Sequence, residues 1–368
     1  MSKAGDLKLL KAVTSIPTAP FVEHRVDAFV DAFIKQHNAK PKLKLVRDRF
    51  GNALITRAGK QKNKPRLVLV AHTDHPGFVA YQMDGPTTLL AHFRGGVNDD
   101  YVQGSRVRFF EGNRQIAGKV TDILLSENGR PTFVQIKIDK PVAPNSCGMF
   151  DLGEAKIVGK LLKSRVCDDL AGVASALAAI ARKPTTPAAG DLCVLLTRGE
   201  EVGFVGALAV VKHKTLLRKS DLVISIECSA QQPVAKQGNG VVLRVGDRTS
   251  IFNSALSHFI HQLATKKNEK DKTFKFQRAL MPGGTCEATA FDAFGYTAAA
   301  VCVPLGNYHN MNTATKKLAP ETVHLDDWHA MVELFVDLAA EVHSFNPRNP
   351  ELKKKLDDLL KKNERWLV

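Results

Sequence analysis

Residues 66–78 read RLVLVAHTDHPGF. Five consecutive apolar residues, Leu67 to Ala71, run straight into His72-Thr73-Asp74. A run this long without polar alternation predicts a strand buried on both faces, the kind found in a sheet covered by helices. Comparable runs follow at LCVLLT (192–197), DLVISIE (221–227) and TAAAVCVPL (297–305). Between and after them, Asp169–Arg182, Val205–Val211, Ile251–Lys266 and Ala288–Phe294 read as helices. Pro320 opens a last long one, with apolar spacing near 3.6 over Thr322–Phe345. Upstream, Leu7–Thr14 and Phe21–Gln36 read as helices around the SIPTAP turn, and LKLVRDRFGNALITR as two strands about Gly51-Asn52. Strand–helix alternation predicts an α/β fold built on a mostly parallel, helix-covered sheet.

That rhythm breaks between about Asp84 and Gly159. Here TTLLAHF, SRVRFFEG, RQIAGKVTDILLS, PTFVQIKI and AKIVGKLL are short alternating segments separated by Gly-, Asn- and Pro-containing turns. They predict a small all-β, barrel-like unit with no convincing helix. The expected organisation is an α/β domain over 1–85 and 160–368, interrupted by a β domain over 86–159. A length of 368 residues suits two domains.

Composition narrows the class. Hydrophobic residues make up 44% and charged residues 24%, so the chain can bury a core and is not a disordered one. No apolar run approaches a membrane span, and the N-terminus lacks a secretory apolar core. Six cysteines, none in a CxxC pair, suit reduced thiols and a cytoplasmic location. The net charge of +15 is the one unusual bulk value and raises a polyanion-binding reading. Residues 35–66 carry eleven basic residues against Asp48 alone, Lys266–Arg278 adds six against two, and ELKKKLDDLLKKNERWLV reads as a basic amphipathic helix. Aromatics are only 7%, and no helix-turn-helix, RNP or zinc-finger pattern accompanies the charge. A solvated charged face is the preferred reading, with a nucleic-acid role for 35–66 ranked below it.

The chemistry stands at the strand ends. VLVA delivers His72 and Asp74, LCVLLTRG delivers Glu200-Glu201, LVISI delivers Glu227, and VCVPLGNY delivers His309; Asp168-Asp169 precede an Ala-rich helix. Open α/β sheets place their sites at such carboxyl ends. Each residue alone has an ordinary explanation, such as a loop histidine or the acidic first turn of a helix. Together, two histidines and several carboxylates at one sheet edge repel unless cations join them. A pair of divalent metals removes that cost, and mixed His/carboxylate ligands suit zinc first, with cobalt or manganese as alternatives. Adjacent glutamates can divide the work of base and ligand, and His-x-Asp can fix a ligand's tautomer.

The ordered set AHTDHPGF, VCDDLAG, TRGEEVGFVGA, SIECS, GGT and NYH resembles the M42 dinuclear metallo-aminopeptidases. These are the glutamyl/leucyl aminopeptidase and cellulase-M-like proteins of the wider co-catalytic zinc exopeptidase group. The resemblance covers nearly the whole chain, the β insertion included. It implies a metallo-aminopeptidase that releases N-terminal residues from short peptides through a metal-bridging water activated by Glu200. It further implies that His72 binds one metal with Asp74 orienting it, Asp168 bridges both, Glu201 and His309 hold the second, and Glu227 completes the first. Gly284, Thr285 and Tyr308 are the implied substrate contacts. Self-association through the inserted domain, into a homo-oligomer that restricts access to peptides, is implied as well. The chain departs from the family pattern in three places. Glu227 replaces an Asp, Thr285-Cys286-Glu287 replaces Thr-Asp-Ala, and LGNYHNMN lacks the Arg-Tyr-x-His-Ser pattern. The alternative within the same chemistry is a related carboxypeptidase or N-deacylase. Cys167 and Cys228 read as apolar filler beside the site. Arg198 reads either as a partner for a carboxylate or as an exposed loop residue. His75, His92 and His324 have no assigned role.

Overall fold

The protein is described by a computed structural model over residues 3–37, 42–60, 65–125, 129–183 and 189–367. Its helices are α1 (Lys3–Val13), α2 (His24–Gln36), α3 (Asp99–Val102), α4 (Leu170–Ala181), α5 (Val205–His213), α6 (Ser254–Lys270), α7 (Glu287–Ala293), α8 (Leu325–Glu341) and α9 (Pro350–Asn363). The strands begin with β1 (Leu43–Arg47), β2 (Ala53–Arg57), β3 (Leu67–His72), β4 (Gly77–Met83), β5 (Thr88–Arg94), β6 (Arg106–Glu111), β7 (Arg114–Leu125), β8 (Pro131–Ile138) and β9 (Cys147–Phe150). They continue with β10 (Lys156–Val158), β11 (Leu161–Ser164), β12 (Leu192–Thr197), β13 (Leu222–Ala230), β14 (Val241–Gly246), β15 (Phe276–Leu280), β16 (Thr297–Gly306), β17 (Met311–Asn312), β18 (Lys317–Leu318) and β19 (Glu321–His324).

The main sheet runs β1-β2-β12-β3-β13-β16-β19-β11-β10, with β14 beside β16 and β15 beside β14. Its centre, β12-β3-β13-β16, is parallel. These are the unbroken apolar runs of the sequence, and β3 and β12 are buried at every position. Such strands need cover on both faces. On one face Leu10, Val13, Leu177, Ile180, Trp328 and Phe335 from α1, α4 and α8 pack against Leu69 and Ile224. On the other, Ala207, Val210 and Phe291 from α5 and α7 pack against Val68, Val70 and Leu195. The α4 sequence LAGVASALAAIA is buried along its whole length, which explains its small side chains. Trp328 adds a tie across that layer, its Nε1–H donating to the Ala171 carbonyl at 2.8 Å.

Between β3 and α4 the chain forms a closed barrel, β4-β5-β8-β7-β6-β9, with its own core of Phe78, Phe109, Ile136 and Phe150. Closure leaves no free strand edge. Gly148 is needed there, because a Cβ would lie 2.6 Å from the Phe109 ring. The α/β class with a barrel-like insertion is therefore the observed architecture.

Three local expectations shift. The last long helix was expected from Thr322, but Glu321–His324 is strand β19, which joins β11 to β16. β-branched Thr322 and Val323 take ladder positions there, and α8 starts at Leu325 behind the His324 cap. It ends at Glu341, with a 3-10 turn over Val342–Ser344. The helix expected at Ile251 starts at Ser254, where the Asn253 side chain accepts from the Leu256 amide. The barrel also carries the single turn α3. The basic tail forms α9 as expected. Residues 38–41 and 61–64 of the basic 35–66 segment lie outside the described residues.

Candidate metal centre

Four sheet elements and one helix end bring the predicted residues together. β3 ends at His72, β12 feeds the Glu200–Val202 turn, β13 carries Glu227, and a short 3-10 turn after β16 carries His309. Asp168 lies just ahead of α4. The ligand atoms of His72, Asp168 and Glu227 lie within 4.8 Å of one another, as do those of Asp168, Glu201 and His309. The two triads share Asp168. A third grouping, His72 with Glu200 and Glu201, lies within the same limit.

Ring orientation is fixed from behind. His309 Nδ1 is 2.8 Å from the Gly96 carbonyl, so it carries the proton and turns Nε2 inward. Nε2 then lies 3.2 Å from Glu201 Oε1 and 3.7 Å from Asp168 Oδ2. His72 Nδ1 faces the Asp74 carbonyl at 3.2 Å and the Asp74 carboxylate at 3.6 Å. Its Nε2 points at Asp168 Oδ1, 3.4 Å away, and lies 3.9 Å from Glu200 Oε2. Asp74 also takes the Glu200 and Glu201 amides, one on each oxygen, at 3.0 and 3.1 Å. It therefore sets the position of the glutamate pair as well as the histidine.

Sequence reading missed Glu321. One of its oxygens accepts from the Cys167 and Asp168 amides at 2.6 and 3.0 Å, and the other from the His309 amide at 2.9 Å. One buried carboxylate thus locks two ligand-bearing segments together. His75 does similar work, with Nδ1 2.6 Å from the Asp168 carbonyl and Nε2 3.2 Å from Asn310 Oδ1. Its place directly after the His72-x-Asp74 motif was the only signal for it; Glu321 had none. Arg198 pairs with a carboxylate, donating from Nε and Nη2 to Glu23 Oε2 at 2.9 and 2.7 Å. That fixes the loop leading to Glu200.

The departures from the family pattern also have places. Cys286 is buried, and its amide donates to Asp247. Glu287 is buried too, accepting from the Thr197 hydroxyl at 2.9 Å beneath the site. Cys228 is fully buried and its thiol donates to the Cys167 carbonyl, as filler would. The open side is a cleft of about 600 Å³ lined by His72, Glu200, Glu227, Arg244, Thr285 and Tyr308. Gly284 lines it as well. The Tyr308 ring stacks on His309 at 3.7 Å.

Burial and crowding distort the titration of the whole cluster. Burial pushes the Glu227 carboxyl up to about 8 against the pull of Arg244. Burial, then the charges of Glu227, Glu201 and Glu287, push Glu200 well above the usual carboxylate range. Burial pushes Glu287 up to about 7. His309 is driven the opposite way from what burial favours, up to about 9, by Glu201 and Asp168. Among the described residues, buried Asp168 Oδ1 and Glu201 Oε1 meet the hydrogen-bond geometry of no donor, although His72 Nε2 and His309 Nε2 stand 3.4 and 3.2 Å away. Orphaned carboxylate oxygens facing inward-turned imidazole nitrogens are the donor set that divalent cations take. The residues present fit a metal site.

An α/β sheet presenting carboxylates and two oriented imidazoles at the ends of its parallel strands has the donor set of a metal-dependent hydrolase. The sequence model of the M42 glutamyl aminopeptidases matches residues 134–334. The chain belongs to that family. Its relatives include the glutamyl aminopeptidase of Lactococcus lactis subsp. cremoris (strain MG1363), 24% identical over 311 residues, 78% of this chain and 84% of that one. Among solved structures, aminopeptidase APDkam598 from the archaeon Desulfurococcus kamchatkensis superposes with a TM-score of 0.75 at 20% identity, covering 94% of this chain and 98% of its own. The Pyrococcus horikoshii TET1 peptidase, which can assemble into a tetrahedron or a large octahedral shell, gives 0.73 at 23% identity, covering 92% and 100%. Among the described residues no helix is long and apolar enough to cross a membrane.

Proposed function

We propose that this chain releases N-terminal residues from short peptides with two divalent metals per chain, zinc foremost. His72, Asp168 and Glu227 would hold one ion, and Asp168, Glu201 and His309 the other. The observation that carries the reading is the pair of triads sharing Asp168, with Glu200 beside them. When bound, the ions supply Lewis-acid polarisation and lower the pKa of water at the site. Glu200 takes a proton from the attacking water and returns it to the departing amine. Asp74 keeps Glu200 in place through its amide. Gly284, Thr285 and Tyr308 contact the substrate's first residue.

We further propose that the inserted domain, residues 86–159, mediates self-association, as assembly of the Pyrococcus relative suggests, and that the protein acts in the cytoplasm on peptides small enough to enter. The test of the site is metal stoichiometry. Asp168→Asn should release both ions, while the wild type retains two per chain by elemental analysis. Retention of a full pair by the variant overturns the shared-ligand assignment.

A further inference from the structure

Every residue from Leu352 to Leu367 is exposed, although the segment includes helix α9. Local devices start the helix. Asn349 Oδ1 accepts from the Leu352 amide at 3.2 Å, Pro350 sits in the first turn, and Lys353 pairs with Asp357 at 2.7 Å. Such devices do not hold a helix of 14 residues in water; packing of an apolar face does. The face exists. Leu352, Leu356, Leu359 and Leu360 are 47–55% exposed, and Trp366 in the following turn is 72% exposed.

The spacing of that face says what covers it. Within α9, Leu352, Leu356, Leu359 and Asn363 stand at intervals of 4, 3 and 4, the d-a-d-a seam of paired helices, and Trp366 follows in the 3-10 turn beyond it. This stripe is narrow, as a single facing helix requires. Asn363 closes it at the C-terminal end of α9, donating to the Leu359 carbonyl at 2.8 Å. A polar group there is costly against lipid or a plain apolar groove. In paired helices an asparagine at an a position sets register and partner number.

We propose that α9 pairs in parallel, in register, with the α9 of a second copy of this chain. Charge selects the direction. In parallel pairing each g position faces the e position five residues on. Lys355 then faces Leu360 of the partner subunit, and Lys362 faces Leu367 of the partner subunit, laying lysine stems over leucines. Antiparallel pairing about the same leucines sets Lys355 against the partner's Lys362 twice, a repulsion at each end. The contact is isologous, so it closes a two-fold pair without leaving a free face.

The experiment is disulfide trapping in the full-length chain. All six native cysteines are buried, so the background is low. Asn363→Cys places a thiol in the seam, and Lys361→Cys places one on the opposite face. In glutathione redox buffer, Asn363→Cys is expected to form covalent dimers at least about tenfold faster than Lys361→Cys, because seam thiols share a high effective concentration. Adding Leu356→Lys and Leu359→Lys should abolish the trap and leave peptidase activity unchanged. Equal trapping at both positions, or none at 363, overturns the proposal. So does trapping only when Asn363→Cys is mixed with Leu352→Cys, which marks antiparallel helices. Salt-sensitive binding to phosphatidylserine vesicles, with a blue shift of Trp366 and no trapped dimer, overturns it in favour of a membrane surface.

Discussion

Glu227→Gln in the metal-free protein isolates a single ionisation and measures what a cation must offset. The Glu227 carboxyl is pushed from 4.5 up to about 8, so the folded chain keeps a proton there that the unfolded chain releases. Stability from that proton is fully present below 4.5 and is lost as pH rises toward 8. At about 1.4 kcal/mol per unit, the loss totals about 5 kcal/mol, of which about 4 falls between pH 5 and 8. Glutamine does not titrate, so the variant escapes it. An unfolding entropy of about 2 cal/mol/K per residue makes 1 kcal/mol worth roughly 1.3 °C in a chain of 368 residues. In a chelator, the variant's Tm should therefore gain on the wild type by about 5 °C from pH 5 to pH 8. Both proteins should share a further decline from about 6.5 to 9, because His309 is raised to about 9 and loses its proton across that window. Differential scanning fluorimetry in matched buffers reads the difference directly. Zinc should then raise the wild-type Tm at pH 8 more than the variant's. A Tm difference that stays flat across pH, or shrinks, refutes the reasoning that a buried, crowded carboxylate drives metal uptake.

Other perturbations probe other parts of the account. Glu200→Gln should lower kcat by about 10²–10⁴-fold with metal content unchanged by elemental analysis. Arg198→Ala strands the buried Glu23 carboxylate and should cost about 3 kcal/mol in urea unfolding. Gly206→Ala puts a Cβ 2.5 Å from the Arg198 backbone and Asn52 Oδ1. It should destabilise by about 1–3 kcal/mol and lower activity, because the backbone that must move leads to Glu200.

The parallel strands and most proposed ligands were legible because both signals are local. An unbroken apolar run marks a doubly covered strand, and the polar residue that ends it marks the edge where sites form. His72, Glu227 and Glu200-Glu201 all follow that rule. What could not be read is long-range. Glu321 lies 153 residues from the Asp168 amide it holds, and nothing in PETVH distinguishes it from a helix-opening acid. The same segment misled the helix boundary, because pairing with β11 and β16 settles β19, and two β-branched residues are too short a signal against the helical spacing that follows. Arg198 admitted two readings, and only the fold brings Glu23 within reach. The +15 charge does not carry into the cleft, where the charged lining is Asp168, Glu200 and Glu227 against Arg244 alone.

The most direct test of the central claim compares one short peptide with a free α-amine against its N-acetylated form. Both are incubated with zinc-loaded wild type and with Glu200→Gln, and products are read by mass spectrometry. The account predicts stepwise loss of N-terminal residues from the free peptide by the wild type alone, with the acetylated peptide intact. Cleavage of the acetylated peptide, release from the C-terminus, or full activity in Glu200→Gln contradicts it.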